Sequence, residues 1–171
     1  SRLSLLCIGR AEMTTPRLLG QTAGARPRPQ SVLFACTMNA VRSPMAEGIA
    51  RHFFGREIYF ASAGVRSADA DGFAIAAMDE IGIDIKKHRP QTFEDLEDTS
   101  FDLIVTLSPE AHHRALEFTR TMAVDVVYWP TIDPTVIQGS REQMLEAYRS
   151  VRDGLEKRIL DMFEQRPMGA V

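Results

Sequence analysis

The chain has 171 residues, of which 44% are hydrophobic and 25% charged, and its formal net charge at neutral pH is −3. A chain of this length buries one substantial core and is short for two ordinary domains. Its apolar content excludes a disordered protein, and the lack of an apolar stretch of about 18 residues excludes a membrane-spanning helix.

The amino-terminal segment differs from the rest of the chain in charge. Residues 1–30 contain five arginines and one acidic residue, whereas the remaining residues are acidic overall. Prolines and glycines in this segment argue against the amphipathic helix of a transit peptide, so we predict a disordered extension over residues 1–30 and a single domain over residues 31–171. The domain has no stripe of lysine and arginine, and we expect neither nucleic acid nor a membrane as a partner.

The number of cysteines indicates the cellular compartment in which the protein works. Cys7 and Cys36 are the two cysteines of the sequence, too few for the disulfide scaffold of a small secreted protein. The sequence also lacks the apolar core and small-residue cleavage site that mark a secretory signal. We therefore predict a protein of the reducing cytoplasm.

From residue 31 the sequence predicts a strand, a loop and a helix in succession. A short β-prone apolar run occupies residues 32–36. Ser43 is the expected N-cap of the helix and Pro44 its first residue, because the missing N–H of proline leaves nothing unpaired in a first turn. An apolar residue then recurs at every fourth position of one helical face: Met45, Ile49 and Phe53.

The same alternation continues along the chain. Further β-prone runs lie at residues 58–61, 101–107 and 124–129, and helical patterns lie at residues 73–81, 108–118 and 141–165. Strands that are apolar on both faces and alternate with helices predict an α/β fold, a four-stranded parallel sheet with helices on both faces. Ligands of such sheets bind outside the carboxyl ends of the strands, so a site is expected in the segment after the first strand.

That segment places a thiol, Cys36, at the end of a strand and Arg42 at the start of a helix. Such a loop can turn successive backbone N–H groups inward as an anion nest, to which the helix N-terminus adds partial positive charge. The guanidinium of Arg42 can hold two oxygens of a tetrahedral oxyanion, and the same field favours a thiolate at Cys36. Cys7 lacks this context, because the residue six positions later is Met13. We predict an oxyanion site with a nucleophilic cysteine.

Residues 32–47, VLFACTMNAVRSPMAE, resemble the phosphate-binding loop of the low-molecular-weight protein tyrosine phosphatase and arsenate reductase superfamily. Further landmarks of that family follow in order: Ser62-Ala63-Gly64, His88-Arg89, an apolar strand at residues 101–105, and Asp133-Pro134. The resemblance covers about residues 31–165. It implies the strand order 2-1-3-4, with the phosphate-binding loop after the first strand.

The resemblance also implies roles for individual residues. Cys36 would be the nucleophile of a cysteinyl-phosphate mechanism, and Arg42 would clamp the oxyanion and the transition state. Ser43 would donate its hydroxyl to the thiolate, and Asp133 would be the general acid that protonates the leaving oxygen. The phosphate-binding loop comprises Thr37, Met38, Asn39, Ala40, Val41, Arg42 and Ser43.

Asn39, by the same resemblance, would hold the strained loop backbone through hydrogen bonds to Ser62 and His88. Asparagine tolerates left-handed backbone geometry better than most non-glycine residues, which supports that role independently. We interpret His88 as a hydrogen-bonding support rather than a base, and His112 and His113 as exposed polar residues. We expect no metal and no cofactor.

Several positions depart from the family pattern. Met38 stands where family loops usually carry glycine, and Val41 where they commonly carry a second cysteine. Thr135 and Val136 replace the tyrosine pair that often follows the Asp-Pro dipeptide. The two additional cysteines that thioredoxin-coupled arsenate reductases need are also missing. These departures affect aryl-phosphate recognition and exclude a thiol relay of that type.

Three functions remain open. The leading hypothesis is a phosphomonoesterase of the tyrosine phosphatase type, acting on a phosphorylated protein or a small aryl phosphate through a phosphocysteine. The second is an arsenate reductase, in which the loop binds arsenate and an external low-molecular-weight thiol resolves the adduct. The third is a non-catalytic module that binds inorganic phosphate, suggested by Met38. The combination of Cys36, Arg42 and Asp133 favours catalysis.

Overall fold

The computed structural model of the chain describes residues 28–164. The strands are β1 (Ser31–Cys36), β2 (Tyr59–Gly64), β3 (Leu103–Thr106) and β4 (Asp125–Tyr128). The α-helices are α1 (Arg42–Phe54), α2 (Gly72–Asp79), α3 (Pro109–Phe118) and α4 (Arg141–Phe163), and short 3₁₀ turns lie at Phe93–Asp95 and Pro134–Val136. The predicted alternation of strands and helices is confirmed. Within this part of the chain, no helix is both long enough and apolar enough to cross a bilayer.

The strands form one parallel sheet in the order β2-β1-β3-β4, which confirms the predicted fold. β1 is central and its residues from Val32 to Cys36 are buried, because helices cover both faces of the sheet. All four strands end at the same edge. There Cys36 lies opposite Gly64, the last residue of β2, so the loops that follow the strands meet around the end of β1.

Alternate residues of β1 build two hydrophobic cores. Val32, Phe34 and Cys36 belong to the core under α1, α2 and α4. Leu33 and Ala35 belong to the core that includes α3 and the first 3₁₀ turn, as the period of two in a strand requires. The thiol of Cys36 therefore lies on the face of the sheet that α1 covers.

The start of α1 differs from the prediction. The helix begins at Arg42, Val41 occupies the N-cap position, and no side chain caps the helix. The prediction of Ser43 as the N-cap is wrong, because its hydroxyl is engaged by the side chains of Cys36 and Asn39 instead. The first turn of α1 therefore has no capping side chain competing for its amides.

Other helix predictions have mixed outcomes. Phe53, predicted on the buried face of α1, is exposed, and the neighbouring Phe54 packs against the core. Ile81, predicted on the face of the next helix, lies beyond the end of α2. The start of α3 is confirmed, since the Ser108 hydroxyl accepts a hydrogen bond from the backbone N–H of Ala111.

The first described residues pack against the domain. The guanidinium of Arg28 donates to the carboxylate of Glu57 at 2.8 Å and to the carbonyl of Phe163 at 2.9 Å. It also lies over the ring of Phe54, 5.6 Å from the centroid. The last part of the segment assigned to the extension thus contacts α1 and the end of α4, whereas residues 1–27 lie outside the described residues.

Candidate functional site

The loop between β1 and α1 is held through its carbonyl groups. The carbonyl at the end of β1 and three loop carbonyls accept backbone hydrogen bonds from the segment after β2: Cys36 from Val65 at 3.2 Å, Thr37 from Arg66 at 2.8 Å, Met38 from Ala68 at 3.1 Å, and Ala40 from Asp71 at 3.3 Å. The backbone N–H groups of residues 37–42 have no acceptor within residues 28–164. A loop with its carbonyls engaged and its amides free can bind an anion, and the N-terminus of α1 adds to the favourable field.

Gly64 allows the loop to pack directly on the end of β2. A Cβ atom at this position would lie 2.5 Å from the carbonyl oxygen of Arg66 and 2.7 Å from the backbone nitrogen of Asn39. Both neighbours are backbone atoms that cannot move aside. The close approach of these backbone segments therefore requires glycine at position 64.

The thiol of Cys36 is buried, with 2% of the residue exposed. Its Sγ lies 2.9 Å from the Oγ of Ser43 and accepts a hydrogen bond from the Ser43 backbone N–H at 3.4 Å. The Ser43 hydroxyl itself accepts from the Asn39 amide group at 2.8 Å, which leaves its single proton to point at sulfur. Two donors from one residue therefore stabilise a thiolate at Cys36.

Arg42 and Asp133 meet at the same edge of the sheet. One guanidinium nitrogen of Arg42 donates to the carbonyl of Thr131 at 3.1 Å, and the other lies 3.9 Å from the Asp133 Oδ2. The Asp133 Oδ1 accepts from the backbone N–H and the hydroxyl of Thr135, at 3.0 and 2.7 Å. One carboxylate oxygen of Asp133 thus accepts hydrogen bonds within its own turn, and the other faces the guanidinium of Arg42.

Asn39 is the one non-glycine residue with positive φ within residues 28–164, at 52°. Its amide nitrogen donates to the hydroxyls of Ser43 and Ser62, at 2.8 and 3.0 Å. Its Oδ1 accepts from the backbone N–H of Gln91 at 2.9 Å and lies 3.1 Å from the Nε2 of His88. Four neighbouring residues therefore hold a backbone conformation that is unfavourable for most side chains.

A buried carboxylate, Glu47, sets the direction of these hydrogen bonds. The Ser62 hydroxyl donates to Glu47 at 2.6 Å, and Arg51 pairs with the other carboxylate oxygen at 2.9 Å. An ionised carboxylate only accepts, so Ser62 must accept from Asn39, and the Asn39 Oδ1 must accept in turn. His88 accordingly carries its proton on Nε2. Hydrogen bonds therefore connect Glu47 with the thiol through Ser62, Asn39 and Ser43.

His88 lies beneath the loop, where burial lowers the pKa of its imidazole and the Glu47 charge opposes that shift. Its Nδ1 is 3.8 Å from the Glu47 carboxylate. A neutral His88 fits the hydrogen bond that it donates to Asn39. The His88 ring contacts the carbonyl oxygen and the Oδ1 of Asn39, whereas Ser43, which contacts the thiol, lies against the Asn39 amide nitrogen.

The structure brings the predicted site residues into two adjacent groups. Cys36, Ser43, Arg42 and Asp133 lie at the carboxyl edge of the sheet, and the Asn39 side chain meets Ser62 and His88 behind the loop. Of the remaining loop residues, Thr37 donates its hydroxyl to Ser108 at 3.0 Å, Ala40 and Val41 are buried, and Met38 is exposed.

The sequence analysis missed Glu47 and Gln91. Glu47 lies four residues after Ser43, on the same face of α1, and that spacing was a usable signal. Gln91 lies in a loop and donates a hydrogen bond from its side-chain amide to the carbonyl of Ser62 at 2.9 Å. No local sequence pattern predicts this contact. His112, predicted to be exposed, is instead half-buried, with its Nδ1 2.9 Å from the Thr106 hydroxyl. In the described part of the chain, no three His, Cys, Asp or Glu side chains converge as a metal site would need.

A thiol at the end of a central parallel strand, followed by free amides and a buried arginine, defines an α/β domain that can bind an oxyanion beside a nucleophile. The chain belongs to the low molecular weight phosphotyrosine protein phosphatase family, whose model matches residues 31–166. The predicted family is thereby confirmed.

Two kinds of known protein are similar to this chain. An arsenate reductase of Halalkalibacterium halodurans is 36% identical over 129 residues, which cover 75% of this chain and 91% of the relative. The solved structure of an arsenate reductase in the phosphate binding state has a TM-score of 0.66 at 29% identity, over 78% of this chain and 96% of that one. The tyrosine phosphatase Wzb from Escherichia coli K30, solved with sulphate, shares the fold, with a TM-score of 0.65 at 24% identity over 80% of this chain and 97% of that one.

Proposed function

We propose that this protein is a phosphomonoesterase that hydrolyses phosphotyrosine or a similar aryl phosphate through a cysteinyl-phosphate intermediate. One observation carries the proposal: the Cys36 thiol, the Arg42 guanidinium and the Asp133 carboxylate converge at one edge of the sheet, with Asp133 3.9 Å from that guanidinium. A nucleophile, an oxyanion clamp and a proton donor are the groups that phosphoryl transfer to a cysteine needs.

In the first step, the Cys36 thiolate attacks phosphorus, the S–P bond forms and the P–O ester bond breaks. The leaving oxygen takes the proton of Asp133. The free amides of the loop and the guanidinium of Arg42 bind the three non-bridging oxygens, whose charge they stabilise in the transition state.

In the second step, a water molecule attacks the phosphocysteine and the Asp133 carboxylate accepts a proton from it. The S–P bond breaks, inorganic phosphate leaves, and the thiolate returns to the two donors of Ser43. The reactive thiol requires a reducing compartment, and we place the enzyme in the cytoplasm on that ground.

Arsenate reduction is the second candidate, favoured by the arsenate reductase relatives. Cys36 would displace one arsenate oxygen as water to form a thiol–arsenate adduct. An external low-molecular-weight thiol would then attack the Cys36 sulfur, so that arsenite leaves with two electrons and a mixed disulfide remains. A second external thiol would reduce that disulfide. Cys36 is the only cysteine of residues 31–166, so this reduction depends on thiols from outside the domain.

The two activities are separated by assaying the full chain on p-nitrophenyl phosphate, and on arsenate with glutathione or mycothiol. We expect hydrolysis of the aryl phosphate and an acid-trapped phosphate on Cys36, found by mass spectrometry, with arsenite formation slower. Cys36→Ala is the control that must lose both activities. Arsenite formation without aryl-phosphate hydrolysis would replace the proposal with the second candidate. Phosphate binding without either reaction would leave a binding module.

A further inference from the structure

The free amides of the phosphate loop are directed by the carbonyls that precede them. In a trans peptide unit the C=O and the following N–H point in opposite directions. A carbonyl that is held by a donor behind the loop therefore turns the next N–H to the other side, where an anion would bind. The segment of residues 65–71 supplies four such donors, and the amides that they direct are those of Thr37, Met38, Asn39 and Val41.

Asp71 is the last of these donors and makes the longest of the four hydrogen bonds, 3.3 Å from its nitrogen to the Ala40 oxygen. The side chain of Asp71 is also the N-cap of α2, because its Oδ1 accepts from the backbone N–H groups of Phe73 and Ala74 at 2.8 and 3.3 Å. The backbone N–H and the side chain of one residue thus join the loop to the start of α2. The direction of the Val41 N–H therefore depends on where the start of α2 is held.

Tyr148 of α4 holds the start of α2. The two helices pack against each other, and the Tyr148 hydroxyl donates to the Asp71 Oδ2 at 3.1 Å. Its ring stacks on Phe73, with 5.3 Å between the ring centroids. Tyr148 is 3% exposed. Burial and the Asp71 charge raise the pKa of the Tyr148 hydroxyl, so it keeps the proton that it donates. A hydrogen bond to an ionised carboxylate is stronger than one between neutral groups.

The other side-chain support of the same segment is more exposed. Arg66 donates to both carboxylate oxygens of Glu110 in α3, at 2.9 and 3.2 Å, but the two side chains are 56% and 47% exposed. Ion pairs in water typically add little to stability. The contact of Tyr148 with Asp71 is the more buried of the two, and a shielded hydrogen bond is costlier to lose.

We propose that Tyr148 is a positioning residue of the phosphate loop: through Asp71 it holds the Ala40 carbonyl and so directs the Val41 N–H at a bound oxyanion. Tyr148 itself touches no substrate. The inference rests on the proposed function, in which the loop amides bind the non-bridging oxygens and stabilise their charge in the transition state. A misdirected amide therefore weakens binding of the transition state more than binding of phosphate.

The first test removes only the hydroxyl. Tyr148→Phe keeps the ring that stacks on Phe73, so the variant should fold. On p-nitrophenyl phosphate we expect kcat/KM to fall by about tenfold, mostly in kcat, which is less than the loss of a whole oxyanion donor would cause. Affinity for vanadate, which resembles the transition state, should fall by a similar factor, and affinity for phosphate by only about twofold. Tyr59→Phe, at an exposed tyrosine at the start of β2, is the matched control and should keep all three values.

A double-mutant cycle tests whether Tyr148 acts through Asp71. Asp71→Ala should lower kcat/KM at least as much as Tyr148→Phe, and the combined variant should be no slower than Asp71→Ala alone. Asp71→Asn should keep most of the rate, because its side chain still accepts from the α2 amides and can donate to the Tyr148 oxygen. Additive losses, or a lower melting temperature with an unchanged ratio of vanadate to phosphate affinity, would overturn the inference and leave Tyr148 a purely stabilising residue.

The outcomes separate the two proposals. Hydrolysis by wild type that Tyr148→Phe retains in full would overturn the inference alone. Binding of phosphate and vanadate by wild type without hydrolysis would overturn the phosphatase activity, and a selective loss of vanadate affinity in Tyr148→Phe would still support the positioning role. Absence of both binding and hydrolysis in wild type would overturn both proposals.

Discussion

The back and the front of the phosphate loop are held in very different ways. Behind the loop, Asn39 is bound to four neighbouring residues, and the charge of Glu47 fixes the direction of the hydrogen bonds. In front, the Asp133 side chain is 39% exposed, and both of its hydrogen bonds are to Thr135 in the same short turn. One side is a buried network and the other is an exposed segment.

This difference shows which part of the site is preset, that is, already in its binding arrangement before a ligand arrives. Buried hydrogen bonds in a medium of low dielectric are costly to break, so the loop amides keep one arrangement before any ligand arrives. An exposed turn with local hydrogen bonds reorients at little free-energy cost. Such a division suits a reaction in which the phosphoryl oxygens stay in place while a proton donor approaches and withdraws.

The largest effect should come from removing the thiol from the preset side. Cys36→Ala should lower kcat by about 10⁴-fold or more, because the variant lacks the thiolate that would form the covalent intermediate. Phosphate affinity, measured by calorimetry, should change by only a few-fold, since the amides and Arg42 remain. Arg42→Ala should lose both turnover and phosphate binding. Loss of phosphate binding in Cys36→Ala would show that the loop is not preset.

Removing Asp133, the proposed acid, from the exposed side should have a smaller, selective effect. Asp133→Asn should lower kcat by roughly 10²-fold on substrates with poor leaving groups and little on those with activated ones, because only the former need protonation. A leaving-group series measures this slope. Asp125→Asn, an exposed aspartate at the start of β4, is the control. Equal losses across the series would remove Asp133 from the acid role.

Breaking the network at Asn39 should affect stability as well as rate. Asn39→Ala leaves the Gln91 backbone N–H without an acceptor and places alanine at φ 52°, so the free energy of unfolding should fall by about 2 to 4 kcal/mol. Asn39→Gly removes the same hydrogen bonds but tolerates the positive φ. Urea unfolding should therefore find the glycine variant about 1 kcal/mol more stable than the alanine variant. Equal stabilities would mean that the backbone is not strained.

The smallest effect concerns pH. Burial lowers the pKa of His88 below its ordinary value of 6.5, so the unfolded chain takes up a proton first as the pH falls. The stabilising contribution is complete above about pH 6.5 and is lost as the pH falls toward the folded-state pKa, with a slope of at most about 1.4 kcal/mol per pH unit. His88→Gln should flatten this part of the profile, whereas His113→Gln, at an exposed position, should follow wild type. An unchanged profile in His88→Gln would assign the slope to another group.

Much of the fold could be predicted because each element has a local cause. Apolar runs on both faces, as in residues 32–36, predict buried parallel strands, and Ser108 before Pro109 is a start signal that works through one hydrogen bond. Ser43 and Pro44 show the same signal, yet there it fails. The hydroxyl of Ser43 finds Cys36 and Asn39, contacts that exist only after the loop has folded.

The site residues also divide into those that a local sequence pattern predicts and those that it does not. The family motif proposes Cys36, Arg42 and Asn39 from a single stretch of sequence. Gln91 reaches the loop from a segment more than fifty residues away in sequence, and its neighbours lie in irregular structure with no periodicity to interpret. Long-range contacts of this kind are decided by tertiary packing, which a local pattern does not contain.

The contact between Arg28 and the carbonyl of Phe163 has a consequence for engineering. It brings the guanidinium of Arg28, three residues before β1, within 2.9 Å of the carbonyl of the last residue of α4, so the two ends of the described domain lie near each other. Arg28 precedes β1, whereas the loop follows it, and six strand residues of about 3.3 Å each separate the two by about 20 Å. A domain with adjacent ends accepts circular permutation and insertion into a surface loop of a host protein. Grafted in this way, it would present its anion pocket outward, away from both junctions.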